Sequence, residues 1–528
     1  MQCKIDDLPD EILEYILSLI PPYKDLRKCM LVSKRWCRAT KNVIEHNETH
    51  FQKAVAFGSL FWNAWSSENW MPVIGKRHSH SACMYENSMY VFGGCTASST
   101  TFNDLWRLDL DTRRWVRPMT MGSYPSPKAC ATMLYYKKSF ILFGGWSHPS
   151  PYPVHQQWRL FNELHVYSIE SNRWNAIDAF ESPPPTSAHS ATIHRNLMVV
   201  FGGVSDGYIS NEVWCLNLDT YCWHRQTTSY FQPQPRYGQS QIELDENHLL
   251  ILGGCTGPNI AMNDAWLLTM EGPSWTWRKV KMQHPAWAPT RIWCHQACKV
   301  GNYIIVLSRN KKKIQTNEMS ISLAKVGCQL PMPPQLSNPT ALYERQRNIP
   351  HIDKDENVNG RRGSLPRSPS SRSSSSPIPS STMARTLALR SQNNLSMAAF
   401  REEPSRTNPN ANRQRQLESL RRMEERIHSH KPQWKVTKKS SDNTLAIFVL
   451  DITNVLSEEC SASWVPLKKN NQSGPDERIL YSLVLGRGEL IVFGGIRREQ
   501  TTIQGQTDVD DSEVYNELHF INPPKYVI

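Results

Sequence analysis

Residue types able to do chemistry are scattered through this 528-residue chain, and their spacing limits what they can do. Cys294, His295 and Cys298 place two thiols and an imidazole close together, the donor types of a zinc site. A closed tetrahedral site needs a further donor, and no second pair at matching spacing supplies it, so the stretch reads as a core strand position. The 13 cysteines are odd in number and follow no regular framework, which fits reduced thiols. No Cys-His pairing for nucleophilic attack and no phosphate loop is apparent, so no catalytic residue, metal or cofactor is predicted. Recognition is better served. The stretch from Trp146 to Arg159 offers Trp146, Tyr152, Trp158 and Arg159, residue types enriched at binding hot spots, on a backbone stiffened by Pro149, Pro151 and Pro153. These side chains either form a substrate-binding surface or pack on a neighbouring unit.

The elements that would carry them repeat. Glycine pairs end short apolar runs at Gly93-Gly94, Gly144-Gly145, Gly202-Gly203 and Gly253-Gly254, at spacings of 51, 58 and 51, with a fifth at Gly494-Gly495. Each of the first four is followed by Asn-Asp or Asn-Glu (Asn103-Asp104, Asn162-Glu163, Asn211-Glu212, Asn263-Asp264), then by Trp115, Trp174, Trp223, and Trp275 or Trp277. Runs such as Met89 to Phe92 and Met198 to Phe201 predict buried inner strands, and the alternating stretches Leu105 to Leu110 and Glu212 to Leu218 predict second strands. The tryptophan falls on an outer strand, where a large ring can fill the space between sheets. Paired glycines permit positive φ and close approach of neighbouring units. No unit buries both its faces alone, so the units must stack.

These residues resemble the kelch repeat, which implies four-stranded blades of a β-propeller. The five pairs become six blades. Tyr303 to Leu307 has the strand pattern but ends in Ser308-Arg309 where glycines would stand, and the pattern resumes at Leu445 to Asp451 and reaches Trp464. The sixth unit, with Asn516-Glu517, ends at Ile528 without a tryptophan; Trp70 sits where its outer strand is expected, closing the ring with an N-terminal strand. The predicted fold is thus mainly β, a six-bladed kelch propeller with a long disordered insert in blade five.

Charge separates that insert from the rest. Residues 308–440 hold 25 Lys and Arg against 10 Asp and Glu, a net of +15 in a chain of +12, leaving −3 elsewhere. The segment is Ser- and Pro-rich with almost no apolar periodicity, so disorder is expected, apart from a possible amphipathic turn or two over Arg413 to His428. Ser364, Ser368 and Ser376 are candidate phosphorylation sites. Arg361-Arg362-Gly363-Ser364-Leu365-Pro366 resembles a basophilic kinase site that, once phosphorylated, suits a 14-3-3 protein. Lys311-Lys312-Lys313 reads as an import signal, a phosphate-binding patch or a solvated linker. Without an aromatic reading surface, no nucleic-acid partner is expected.

At the other end, Leu8-Pro9-Asp10-Glu11-Ile12-Leu13 opens a helix with an apolar stripe of Ile12, Leu13, Ile16 and Leu17, with Asp6 or Asp7 available as a cap. Pro21-Pro22 ends it, and Asp25 to Trp36 gives a second amphipathic stretch. Some forty residues make a poor independent core, which points to completion on a partner. Leu8, Pro9, Glu11, Leu13, Pro21, Leu26, Val32, Ser33 and Trp36 together resemble an F-box. The resemblance implies docking onto a Skp-type adaptor, and through it a cullin scaffold, with Leu8, Pro9, Ile12, Leu13, Ile16, Leu26, Val32 and Trp36 as the contact.

An F-box ahead of kelch repeats resembles the F-box/kelch substrate receptors, which implies a non-catalytic subunit that holds protein substrates for ubiquitination, with the loops after the glycine pairs as the binding face. The expected divisions are 1–48 F-box, 49–76 linker and closing strand, 77–307 blades one to four and half of blade five, 308–440 insert, and 441–528 the remainder. A kelch-propeller scaffold or cytoskeletal interaction protein is the alternative. A copper radical oxidase also uses such propellers, but nothing here is spaced to supply its Tyr, cross-linked Cys and two His. No stretch approaches bilayer-spanning length and no secretory hydrophobic core opens the chain, so no membrane association is expected and a cytoplasmic or nuclear location is.

Overall fold

Proline 9 and the acidic pair behind it start the first element. Helix α1 runs Asp10–Ser18 with Asp10 and Glu11 in its first turn, where the positive end of the helix dipole favours them. Pro9 stands at the N-cap with no side-chain cap, in place of the expected aspartate. Helix α2 is Lys24–Cys29, and α3 is Lys34–Ala56. The single amphipathic stretch expected from Asp25 to Trp36 is thus broken in two. Ser33 causes the break: its extended backbone starts a new helix, and its side chain accepts from the Trp36 N–H at 3.2 Å.

The computed structural model describes residues 5, 8–65, 73–309, 444–466, 474–497 and 513–524, less 99, 149, 152–153, 156–157, 258–259 and 295. The insert beyond Arg309, with Lys311 to Lys313, Ser364, Ser368, Ser376 and Arg413 to His428, lies outside the described residues, as do Trp70, Tyr152 and His295. The described helices and sheets form one compact unit.

Six sheets of four or five strands make a six-bladed β-propeller. Blade 1 runs from the centre outward as Ser81–Tyr85, Ser88–Phe92, Leu105–Asp109 and Arg114–Val116. The glycine-ended apolar runs are therefore second strands, not innermost ones. A second strand is covered on both faces by neighbouring blades and must be apolar throughout. The innermost strands, such as Thr132–Tyr136, Ser190–His194 and Ser240–Glu243, border a central channel of mixed polar and small apolar lining and need no apolar run.

Three devices join the blades. In blades 1 to 4 the repeat tryptophan packs on the residue just before the glycine pair of the preceding blade. Ring centroids are 4.9 Å apart for Trp115 and Phe493, 5.3 Å for Trp174 and Phe92, 4.8 Å for Trp223 and Phe143, and 5.2 Å for Trp277 and Phe201. Trp277, opposite Leu268, is the repeat residue rather than Trp275. Second, the glycine pairs allow the backbones to meet. A Cβ on Gly253 would lie 2.1 Å from the Ile292 carbonyl oxygen, and the Gly254 N–H donates to that oxygen at 2.7 Å. Third, one backbone N–H per blade donates to the equivalent carbonyl of the blade before. Ser79 donates to Leu480, Leu480 to Cys294, Cys294 to Gly238, Gly238 to Ala188, Ala188 to Cys130 and Cys130 to Ser79, at 2.7–3.0 Å, a closed ring. All six of these residues have positive φ, five of them without being glycine.

The ring is closed by Phe61–Trp65, which pairs antiparallel with Leu518–Asn522 of blade 6. Trp62 lies opposite Ile521, the register Trp115 holds opposite Leu108, so Trp62 rather than Trp70 is the blade's tryptophan. Where a linker was expected after residue 48, α3 runs on to Ala56 and only four residues separate it from this strand. The cause is packing: Phe51, Ala54, Val55 and Leu60 are buried with Val300, Ile305, Leu307 and Leu445 of blade 5 and Leu483 and Leu490 of blade 6.

Candidate functional site

Two surfaces of the molecule present recognition chemistry, and they lie on opposite sides of the propeller. Antiparallel pairing puts the turns between first and second strands, and between third and fourth, on one face. The loops after the glycine pairs fall on the other. The helices meet the first face. Lys24 N–H donates to the Asp111 carboxylate at 2.5 Å, Tyr23 O–H donates to Glu489 at 2.5 Å, and the turn at Gly301 lies against Gln52.

Within the helical module, Leu13, Leu17, Leu26, Ala39 and Val43 form a small core, with Trp36 and Ile20 packed on it. Leu13 and Leu26, expected at the adaptor contact, are wholly buried there and shape the surface rather than belong to it. Ile16 and Trp36 are half-buried, as is Leu8, whose carbonyl accepts from Arg35. Arg35 also donates to Asp10 at 2.6 Å, clamping the start of α1 to the start of α3. Pro9 and Ile12 are exposed, and beside the α2–α3 turn Leu31 and Val32 are 85% and 62% exposed. Ile5 and Leu19 are exposed as well, and this set of apolar side chains left in solvent is the crest of the module. Leu31 and Leu19 were not singled out from sequence, because neither position distinguishes a core from a surface residue.

On the loop face, short hairpins rise beyond the glycine pairs: Trp146–Ser147 with Arg159–Leu160, Val204–Ser205 with Tyr208–Ile209, and Ile496–Arg497 with Glu513–Val514. Trp146 is buried against Cys95 and Ala129, and Trp158 packs on it with centroids 4.5 Å apart. The structure therefore withdraws Trp146 from the expected binding surface: its ring builds the base of the loop. Trp158 is half-buried; Arg159 is exposed, its guanidinium 5.3 Å from the Phe161 ring centre. Tyr208 and Ile260 are exposed on neighbouring loops.

Between the faces runs the channel, a cavity of 290 Å³ lined by the ring residues and by His80, Thr132, His189, Ser190, Gln239 and Tyr481. His80 Nε2 lies 2.9 Å from Ser482 Oγ, and His189 Nε2 lies 3.0 Å from Thr132 Oγ1, so each imidazole ties two blades. Burial lowers His189 to about 3, and burial with the neighbouring Arg77 charge takes His80 well below the ordinary range; both are neutral at pH 7. Burial pushes the Cys298 and Cys83 thiols up to about 12 and Cys130 upward as well. These groups are poised as neutral hydrogen-bonding partners, not as nucleophiles or bases. No cluster of three or more metal-ligating side chains occurs among the described residues, Cys294 and Cys298 included. No described helix is long and apolar enough to cross a membrane.

Comparison with known families matches both halves. The F-box-like family model covers residues 5–44, and the model described as FBX42, beta-propeller domain, covers residues 77–277. Over these stretches the chain resembles an F-box/kelch-type protein. Among relatives, Kelch domain-containing protein 1 of Mus musculus is 27% identical over 259 residues, spanning 45% of this chain and 62% of that protein. Kelch domain-containing protein 2 of Bos taurus is 27% identical over 244 residues, 41% and 57% respectively. Acyl-CoA-binding domain-containing protein 5 of Arabidopsis thaliana is 29% identical over 177 residues, 33% and 26%. The chain thus spans between about a quarter and three-fifths of the length of these relatives. An F-box joined to a kelch-type propeller is the make-up of an adaptor-type protein.

The kelch Asn-Asp steps acquire a partner that sequence reading missed. Arg77 donates to Asp104 at 2.8 Å, Lys128 to Glu163 at 2.7 Å, Arg236 to Asp264 at 2.7 Å and Arg478 to Glu517 at 2.8 Å, each cation almost wholly buried. Trp106 and Trp266 Nε1–H donate to the same carboxylates as Arg77 and Arg236. Burial alone raises Asp104 and Asp264, but their arginines outweigh it and hold both below the ordinary carboxylate range. The recurrence of a cation ahead of the innermost strand in four of the six blades, with Thr186 and Ile292 in the other two, was the available signal.

Proposed function

We propose that this chain is the substrate-recognition subunit of a Skp-cullin-F-box ubiquitin ligase. The apolar crest of Pro9, Ile12, Leu19, Leu31 and Val32 docks on the Skp-type adaptor, with Leu8, Ile16 and Trp36 at its margin and Leu13 and Leu26 as its internal support. The loop face, with Arg159, Trp158, Tyr208 and Ile260, holds the protein substrate. The chain breaks no bond itself: it converts ubiquitin transfer into an effectively intramolecular step by raising the local concentration of substrate lysines.

The observation that carries this reading is the crest. The module commits Tyr23 and the end of α3 to the propeller, yet leaves large apolar side chains in solvent beside its small buried core, as a surface completed by a partner would. Replacing Leu31 and Val32 together by Glu tests it: adaptor and cullin should be lost from affinity purifications while the propeller melts unchanged. Retention of both would overturn the crest as the docking surface, and absence of both from wild-type purifications would favour the scaffold reading, in which the propeller acts alone. A 14-3-3 protein bound to phosphorylated Ser364 belongs to this proposal, and unaltered 14-3-3 capture by Ser364→Ala would remove it.

A further inference from the structure

We propose that Glu489 is a positioning residue that welds the F-box to the propeller, so that the adaptor crest and the opposite loop face are presented as one rigid body. This rests on the receptor reading above for its consequence, though not for its geometry.

Glu489 stands in the turn between the first two strands of blade 6 and is 3% exposed. Its carboxylate accepts from three directions. Tyr23 O–H, from the turn between α1 and α2, donates to Oε1 at 2.5 Å. Arg113, from the outer turn of blade 1, donates to Oε2 at 3.0 Å, and Asn522, from the third strand of blade 6, donates to the same oxygen at 2.9 Å. The Arg113 guanidinium also stacks on Phe520, 3.6 Å from the ring centre. One buried anion therefore holds the F-box and two blades, and those blades flank the point where the ring is closed. Burial and the neighbouring Glu489 charge raise the Tyr23 hydroxyl far above its ordinary value, so it donates at any physiological pH.

Two further attachments support this one, the first beside it and the second displaced along α3, and together they remove the hinge it would otherwise leave. Lys24 N–H is held by Asp111 of blade 1. Phe51, Ala54 and Val55 of α3 are buried against blades 5 and 6. Helix α3 contains neither glycine nor proline between Lys34 and Ala56, and leads through four residues into the strand that closes blade 6. Contacts to three blades at separate points fix both position and orientation. A receptor built so presents a bound substrate at one distance from the transfer module, where a flexible linker would spread its lysines over a range.

The experiment uses the full chain, with fluorophores introduced by unnatural amino acids at the exposed positions Glu11 in α1 and Asp206 on the loop face, read by single-molecule energy transfer. The wild type should give one narrow distance population. Tyr23→Phe, which keeps the ring and every contact within the propeller, and Glu489→Gln should each broaden it. Each should also raise amide exchange over residues 20–30 by about tenfold or more, with protection of the second strands of blades 3 and 4 retained. A broad wild-type population, or variants indistinguishable from wild type in both readouts, overturns the proposal. Should Glu489→Gln loosen the propeller itself, Tyr23→Phe decides alone. The ligase reading fails separately, through absence of adaptor and cullin from purifications of the wild type, which leaves the distance measurement untouched.

Discussion

Blades 4 and 5 are neighbours joined by different means. Blade 4 has the full kelch set: Arg236 donates to Asp264 and to the Gly253 carbonyl, Trp266 donates to Asp264, and the glycine pair meets the next blade. Blade 5 has Ile292 where the arginine stands and Ser308-Arg309 in place of the glycines. It nevertheless keeps its two bonds in the backbone ring, through Cys294, and its buried tryptophan, Trp464, packed in the core that contains Leu252 of blade 4. It also has what blade 4 lacks, the end of α3 laid against it. The ion pair and glycine pair are therefore one way to stitch a blade, and the backbone ring and tryptophan are the common requirement. The blade that gave up the first receives its support from the F-box helix.

The strongest way to break this comparison is to convert blade 4 toward blade 5. Arg236→Met leaves the Asp264 carboxylate without its cation and should lower stability by about 3–5 kcal/mol in urea unfolding. Adding Asp264→Leu should recover much of that, because two apolar side chains leave no buried charge unpaired; no recovery would mean that the pair itself is required. Next, Phe51→Ala should cost about 3 kcal/mol and speed amide exchange in the strands of blade 5 more than in blade 3. Equal effects on the two blades would show that α3 does not brace blade 5. Trp62→Ala should cost about 2 kcal/mol, since this ring is only half-buried, and should loosen blade 6 first.

Titration supplies the remaining test. A hydrogen bond from His519, then those from Arg478, hold the Glu517 carboxyl at about 2 against the upward pull of burial. The unfolded chain takes up that proton near 4.5, so the stability Glu517 contributes is present above about 4.5 and is lost as pH falls toward 2. His189, neutral until about 3 in the folded chain but near 6.5 when unfolded, acts in the same direction over its wider window. Melting followed from pH 7 downward should show stability falling first below about 6.5 and more steeply below 4.5. A stability rising on acidification would contradict both assignments.

Much of the fold was legible because the kelch repeat writes local requirements into residue types. A glycine pair marks backbone meeting backbone, and an apolar run beside it marks a strand covered on both faces. The innermost strands were not legible, since a strand beside a channel of mixed lining has no distinctive pattern. Nor was the difference between Trp62 and Trp70. Both precede the first unit, and only pairing with Leu518–Asn522 distinguishes them. In the candidate binding loop, Trp146 and Arg159 look equally suited to recognition, yet of the two, on paired strands of one hairpin, Trp146 is buried and Arg159 is exposed.

The sequence by itself determined that six repeating units must stack into a ring and that a short helical module precedes them, because periodicity, glycine placement and helix boundaries are local properties. Tertiary structure alone decided which strand closes the ring, which leucines of the F-box are support and which are surface, and that Glu489 lies under Tyr23, 466 positions away. Those outcomes depend on which groups lose water to one another across the fold, and separation along the chain carries no record of that.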